Sequence, residues 1–97
     1  MKLKEAYQEK VEGQIKEWTA KLQDYKAKAD KAGADAKVQM YQQIDRLRAQ
    51  KEAAQQKLNE IKAAKGDSWE ALKTGSERSL HELKKTWESM KAKFRER

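Results

Sequence analysis

The chain has 97 residues, of which 40% are charged and 37% hydrophobic, with neither Pro nor Cys and a net charge of +7. Without Cys it can form neither disulfide bonds nor a thiolate metal site, and its abundance of Ala, Glu, Lys, Gln, Leu and Arg argues against a β-sheet and for helices. Acidic and basic residues are interspersed along the chain, which is typical of solvated helix faces and argues against a specific nucleic-acid site.

The chain contains no long apolar segment. The first residues, Met1 to Ala6, lead directly into charged helical sequence instead of the apolar stretch of a signal peptide. No run approaches the ~18 apolar residues of a membrane span. We therefore expect a soluble, cytoplasmic protein.

Apolar side chains recur every three or four positions from Tyr7 to Ile61, which is the spacing of one face of an α-helix. We call this face the apolar stripe. It predicts a single long helix over about 2–65, with one stutter in the pattern between Ala36 and Met40. At 1.5 Å per residue, such a helix would be roughly 95 Å long.

Gly33 leaves an alternative open, namely a turn over residues 32–35. Gly costs about 1 kcal/mol inside a helix and often follows a helix C-terminus. With a turn here the chain would be a compact three-helix bundle, and its apolar stripe would be used internally. The continuous helix is the preferred prediction, because neither Pro nor Asn-Gly accompanies Gly33 and the helical pattern continues on both sides.

A second break is predicted at residues 65–68. Gly66 suits the left-handed position that ends a helix, and Asp67 with Glu70 has the spacing of a capping box that begins a new one. A second helix over about 68–95 would fold back as a hairpin on the end of the first. The residues that we expect to pack in this hairpin are Leu58, Ile61, Trp69, Leu72, Leu80, Leu83, Trp87 and Met90.

The second helix, roughly 42 Å long, is too short to cover the first, so half of the apolar stripe would lack a partner. An uncovered apolar stripe indicates an interaction surface, and Ala29, Ala32 and Ala36 would let two helices approach closely. We therefore expect an elongated coiled coil that forms an antiparallel homodimer or a higher oligomer. The predicted oligomer interface consists of Trp18, Leu22, Tyr25, Ala29, Ala32, Ala36, Met40, Ile44 and Leu47.

Side chains arranged for catalysis are absent from the sequence. His81 is the single His, and Glu77 precedes it by four positions, whereas a helical di-iron site needs Glu-x-x-His pairs on two helices. Neither a phosphate-binding Gly-rich loop nor a nucleophile elbow is present. We predict one non-enzymatic domain over 1–97, with no cofactor, metal or small-molecule substrate.

Two functions follow from these patterns. The first is that of a self-association or scaffold protein, whose partner is itself. The alternative is an amphipathic helix that binds anionic membrane or lipid surfaces, because Trp69, Trp87, Met90 and Phe94 lie among Lys and Arg residues. Four Glu residues of the same segment dilute its basic face and favour the first function.

The sequence also resembles a family of small bacterial coiled-coil proteins, usually labelled stress-response or apolipoprotein-like. The resemblance covers nearly the whole chain and rests on four segments, MKLKEAY (1–7), ADKAGADAK (29–37), LRAQKEAA (47–54) and SWEALK (68–73). It implies a cytoplasmic bacterial protein linked to stress response, with no catalytic residues. Gly33 departs from the Lys that is common at this position in the family.

Overall fold

The computed structural model describes residues 3–95, and the surroundings of their side chains as far as residue 92. Phe94, one of the predicted membrane-facing residues, therefore lies outside the described side chains. Over 3–95 the chain forms three α-helices and no strand, namely α1 (Leu3–Asp30), α2 (Ala34–Ala63) and α3 (Trp69–Arg95), with a short 3-10 turn at Gly66–Ser68. The prediction of an all-α protein is confirmed.

The predicted continuous helix over 2–65 is wrong, because the chain reverses between Asp30 and Ala34. Gly33 adopts an extended backbone (φ −64°, ψ 162°) at the start of α2, and its carbonyl accepts a hydrogen bond from the Lys37 N–H at 2.8 Å. The alternative turn at Gly33 is thus the one in the structure. Periodicity did not separate the two possibilities, because the apolar stripe keeps its three-and-four spacing through the turn.

The second turn lies where the sequence predicted it. Gly66 has a φ of 61°, a left-handed conformation that favours glycine. The Ser68 hydroxyl donates a hydrogen bond to the Lys65 carbonyl at 2.6 Å, and α3 begins directly afterwards at Trp69. Because the left-handed glycine redirects the backbone, α3 returns along α2.

α2 is the central helix, and both α1 and α3 pack along it. The Lys4 ammonium near the start of α1 donates to the Ala64 carbonyl just past the end of α2 at 2.6 Å, so these two helices are antiparallel. The bundle measures 51 × 18 × 17 Å. It is therefore about half as long as the predicted long helix, because that helix is folded in two.

The core consists of two clusters of buried side chains, one towards each end of the bundle. One cluster is Tyr7, Val11, Ile15, Ala54, Leu58, Ile61 and Trp69. The other is Trp18, Leu22, Tyr25, Ala29, Met40, Ile44, Leu47, Leu83 and Met90. Of the residues predicted to pack in the hairpin, Leu72, Leu80 and Trp87 are partly buried against these clusters and the others belong to them.

Polar side chains meet where the two clusters join. The Lys51 ammonium donates to the Thr19 hydroxyl at 3.2 Å, and that hydroxyl donates to the Ile15 carbonyl at 3.0 Å. On the other side of α2, the Gln50 amide donates to the Thr86 hydroxyl at 3.0 Å. These contacts tie α2 to α1 on one side and to α3 on the other, and polar contacts of this kind favour one register between packed helices.

Candidate functional site: the α1–α3 groove and the α1–α2 turn

A groove of about 580 Å³ runs between α1 and α3. Its floor is apolar and is formed by Val11, Trp18, Leu80 and Trp87. Polar side chains form its two rims. They are Lys10, Gln14, Glu17 and Lys21 on α1, and Glu77, His81, Lys84, Glu88 and Lys91 on α3.

Aromatic contacts join α1 and α3 at the floor itself and at the two ends of the groove. The Tyr7 and Trp69 ring centroids lie 5.8 Å apart, and the Trp87 ring lies 5.7 Å from Trp18 and 5.8 Å from Tyr25 in edge-on geometry. The early parts of α1 and α3 thus meet each other, and so do their later parts. α1 and α3 are therefore parallel.

The rim charges do not pair with one another. Among the described side chains there are two ion pairs, Glu12 with Lys62 at 2.6 Å and Lys57 with Glu60 at 3.6 Å, and neither includes a rim residue. The Lys21 ammonium lies over the Trp18 ring instead, 4.5 Å from its centroid. The rims are thus charged surfaces that remain open to solvent or to another molecule.

Burial changes the ionisation of two tyrosines near the groove. It raises the pKa of the Tyr7 hydroxyl, which the neighbouring Ser76 hydroxyl partly counteracts and the charge of Glu77 increases. Burial likewise raises the pKa of Tyr25. Both hydroxyls therefore remain neutral at physiological pH, which suits the packing of these side chains in the core.

The turn between α1 and α2 is held by few interactions. The Lys31 and Ala32 N–H groups donate to carbonyls three residues earlier, at 3.2 and 3.1 Å. The Tyr41 hydroxyl donates to the Asp30 carboxylate across the turn. No side chain caps the N-terminus of α2 at Gly33, and a Cβ placed on Gly33 would meet no atom within 4 Å.

The predicted oligomer interface lies within one chain in this structure. Ala32 is partly buried against the core and Ala36 is half-buried at the start of α2. The other predicted residues belong to a single buried cluster, namely Trp18, Leu22, Tyr25, Ala29, Met40, Ile44 and Leu47. The part of the stripe on α1 therefore packs against the part on α2.

The rims are the feature that sequence reasoning missed. The rim residues at positions 10, 14, 17 and 21 and those at positions 77, 81, 84 and 88 have the same spacing of four, three and four positions. This repeat was readable, but only the parallel packing of α1 beside α3 brings the two segments together. His81, considered above only as a possible metal ligand, is one member of this row.

The described part of the chain holds no group of three or more acidic or His side chains that could bind a metal. None of its helices has a stretch long and apolar enough to cross a membrane. Comparison of the chain with protein-family models, curated proteins and solved structures gave no match. The described residues form a three-helix bundle in which consecutive helices are antiparallel.

Proposed function

We propose that this protein is a non-enzymatic self-association module that dimerises by exchanging α1 between two chains. In the exchanged dimer, residues 31–33 become helical and join α1 and α2 into one helix over 3–63. The α1 of each chain then packs against α2 and α3 of the other. Because the buried contacts of α1 are re-formed with the partner, the closed and exchanged forms differ mainly at the turn and in the entropy of association.

The conformation of the α1–α2 turn carries this proposal. Its backbone holds no positive φ angle, whereas the second turn depends on Gly66 at 61°. Gly33 departs from helical geometry chiefly in ψ, which is 162°. The helix can therefore continue through 31–33 without moving any residue into an unfavourable region of backbone space.

The apolar stripe supports the same arrangement. Ala29, Ala32, Ala36 and Met40 follow one another at helical spacing, so a straightened helix would present one continuous apolar face. Two such helices would cross near Gly33, where the small side chains permit close contact. The dimer would be an elongated pair of three-helix bundles, about twice as long as the closed chain of 51 Å.

Gly33→Ala tests the proposal. Ala favours a helix over Gly by about 1 kcal/mol, and both chains of the dimer gain this, so we expect the dimer dissociation constant to fall about 30-fold. The closed form accepts Ala, since φ at Gly33 is −64° and a Cβ there is unobstructed. The measurement is molar mass by light scattering after size exclusion over a concentration series, with X-ray scattering for length.

Gly13→Ala is the matched control. Gly13 lies within α1, and a Cβ there also meets nothing within 4 Å. It is helical in both forms, so the same substitution should stabilise both equally and leave dimerisation unchanged. An equal effect of the two variants, or a native chain that remains monomeric up to millimolar concentration, would contradict the proposal.

Ala34→Pro should act in the opposite direction. Ala34 is the first residue of α2, where Pro is favoured, and the extended Gly33 before it has the backbone that Pro requires. In the continuous helix the same Pro costs about 3 kcal/mol in each chain. We expect the exchanged dimer to weaken at least about a thousandfold while the closed bundle stays folded.

A second candidate function, binding to anionic lipid surfaces, is favoured by the groove itself. Its floor contains Trp87, which is only partly buried, and Lys10, Lys21, Lys84 and Lys91 stand on its rims. Aromatic side chains beside lysines are typical of helices that lie in a membrane interface. Glu17, Glu77 and Glu88 on the same rims weaken this candidate relative to self-association.

A further inference from the structure

The two rims of the α1–α3 groove are complementary in charge when they are taken in the same order. The α1 rim carries four polar residues at intervals of four, three and four positions, and the first four of the five on the α3 rim repeat these intervals. Aligned in sequence, they form a ladder in which three rungs join Lys with Glu and one joins Gln with His. The rungs are Lys10 with Glu77, Gln14 with His81, Glu17 with Lys84, and Lys21 with Glu88.

The packing of α3 agrees with this alignment. The Tyr7 hydroxyl donates to the carbonyl of Lys73, which is 66 positions later, and Trp18 contacts Trp87, which is 69 positions later. The ring contacts Tyr7–Trp69 and Tyr25–Trp87 join residues 62 positions apart, so the contacts between α1 and α3 span 62 to 69 positions. The rungs join residues 67 positions apart, within that span. The ladder is therefore compatible with the way in which α1 and α3 lie side by side.

The order of the charges also favours this alignment over its two neighbours. If α3 moved by about one helical turn in one direction, Lys21 would face Lys84. A shift of α3 by one helical turn in the other direction would place Lys21 opposite Lys91 and Glu17 opposite Glu88. Like charges placed opposite each other disfavour an arrangement, and this is how paired helices select their partner and alignment.

Resting on the α1 exchange proposed above, we infer that this ladder is the surface by which α3 recognises α1 of a second copy of the chain. The apolar side chains that α3 contributes to the floor, Leu80 and Trp87, would accept many amphipathic helices, whereas the order of charges on the α3 rim favours one with the α1 pattern. No described rim side chain forms an ion pair within the closed chain. The rim charges therefore act across the groove without direct pairing, and they favour complementary rims over like-charged ones in the closed chain and in the exchanged dimer alike.

The test reverses the charges of the three Lys–Glu rungs. The α1 variant carries Lys10→Glu, Glu17→Lys and Lys21→Glu, and the α3 variant carries Glu77→Lys, Lys84→Glu and Glu88→Lys. Either variant alone places like charges on three rungs, in the closed chain and in its exchanged homodimer. In the mixed dimer one bundle has two native rims and the other has two reversed rims, so every rung is complementary.

We expect the mixed dimer to exceed either homodimer at least about tenfold at low salt, and the excess to shrink in about 1 M salt, where surface charges are screened. One variant is labelled with ¹⁵N, the two are equilibrated together, and native mass spectrometry counts the species. A single chain carrying all six substitutions is the control. Its rungs are complementary again, so it should dimerise as the native chain does.

Two other outcomes overturn the inference in different ways. In the first, the native chain dimerises, but mixed dimers make up only the half of all dimers that random association gives. The ladder then does not select the partner, and α1 exchange stands without it. If neither the native chain nor the six-substitution control dimerises, the exchange itself is refuted, and the inference fails with it. Circular dichroism of each variant establishes that its helices have formed before mixing.

Discussion

Lys51 shows how a single residue acquires its role only in the folded chain. In the sequence it interrupts the apolar stripe between Leu47 and Ala54. In the bundle it is partly buried and donates to the Thr19 hydroxyl on α1. Its position on the stripe was evident from spacing, but its partner was not, because Thr19 is 32 positions away and becomes adjacent only when α1 folds against α2.

The Glu12–Lys62 ion pair leads to a prediction about pH. Lys62 lowers the pKa of the Glu12 carboxyl, first through a hydrogen bond and then through its charge. Because this pKa is lower in the folded chain than in the unfolded one, the pair stabilises the fold above the ordinary Glu pKa of about 4.3. That stabilisation is lost as the pH falls through the lowered pKa.

We therefore expect Glu12→Gln to be less stable than the native chain at pH 7 and to match it near pH 3. Urea unfolding at pH 7, 5 and 3 measures the difference in free energy. The control is Glu9→Gln, which removes an exposed carboxyl of the same helix and leaves the Glu12–Lys62 pair in place. A native chain and a Glu12→Gln variant that differ equally at all three pH values would count against the pair.

Among the structural elements, the two turns differ in how strongly a local residue determines them. Gly66 adopts a φ of 61°, and Gly33 a φ of −64° that most residues adopt readily. A left-handed glycine between a helical pattern and a capping signal was recognisable in the sequence, so the turn at 65–68 was predicted. The turn at Gly33 has no comparable local signal, which is why a continuous helix was preferred there.

Gly66→Ala should consequently destabilise the bundle by about 1–2 kcal/mol, because Ala is unfavourable in the left-handed region. Gly13→Ala, inside α1, should stabilise it by about 0.5–1 kcal/mol. Thermal or urea unfolding of both variants compares a glycine that a turn requires with one that a helix merely tolerates. A Gly66→Ala variant as stable as the native chain would show that this turn does not need the left-handed conformation.

For the whole molecule, the lipid-binding alternative gives its own prediction. If the chain opens at the α1–α2 turn to place its apolar stripe on lipid, it should float with anionic phospholipid vesicles and shift its Trp emission to the blue. Zwitterionic vesicles should bind much less, since the chain carries a net charge of +7. Ala34→Pro, which holds the turn, should reduce binding, and a native chain that stays with the soluble fraction would eliminate this function.

The sequence by itself determined that the chain is helical, which side chains are apolar and periodic, and that the backbone turns at Gly66. These properties depend on local propensity, on residue spacing and on one left-handed glycine. The residues that pack in the hairpin, from Leu58 to Met90, could be predicted from the sequence for the same reason. The structure places all of them in or against the core.

Only the tertiary structure decided where the apolar stripe of α1 is buried and what its polar face lies beside. The same stripe can be covered by α2 of its own chain or by a helix of another, and no residue at 31–33 distinguishes these solutions locally. The closed bundle folds the stripe on itself and thereby sets α1 parallel to α3, with two matched rows of charge along one groove. That juxtaposition depends on contacts between distant segments, which spacing along the chain cannot specify.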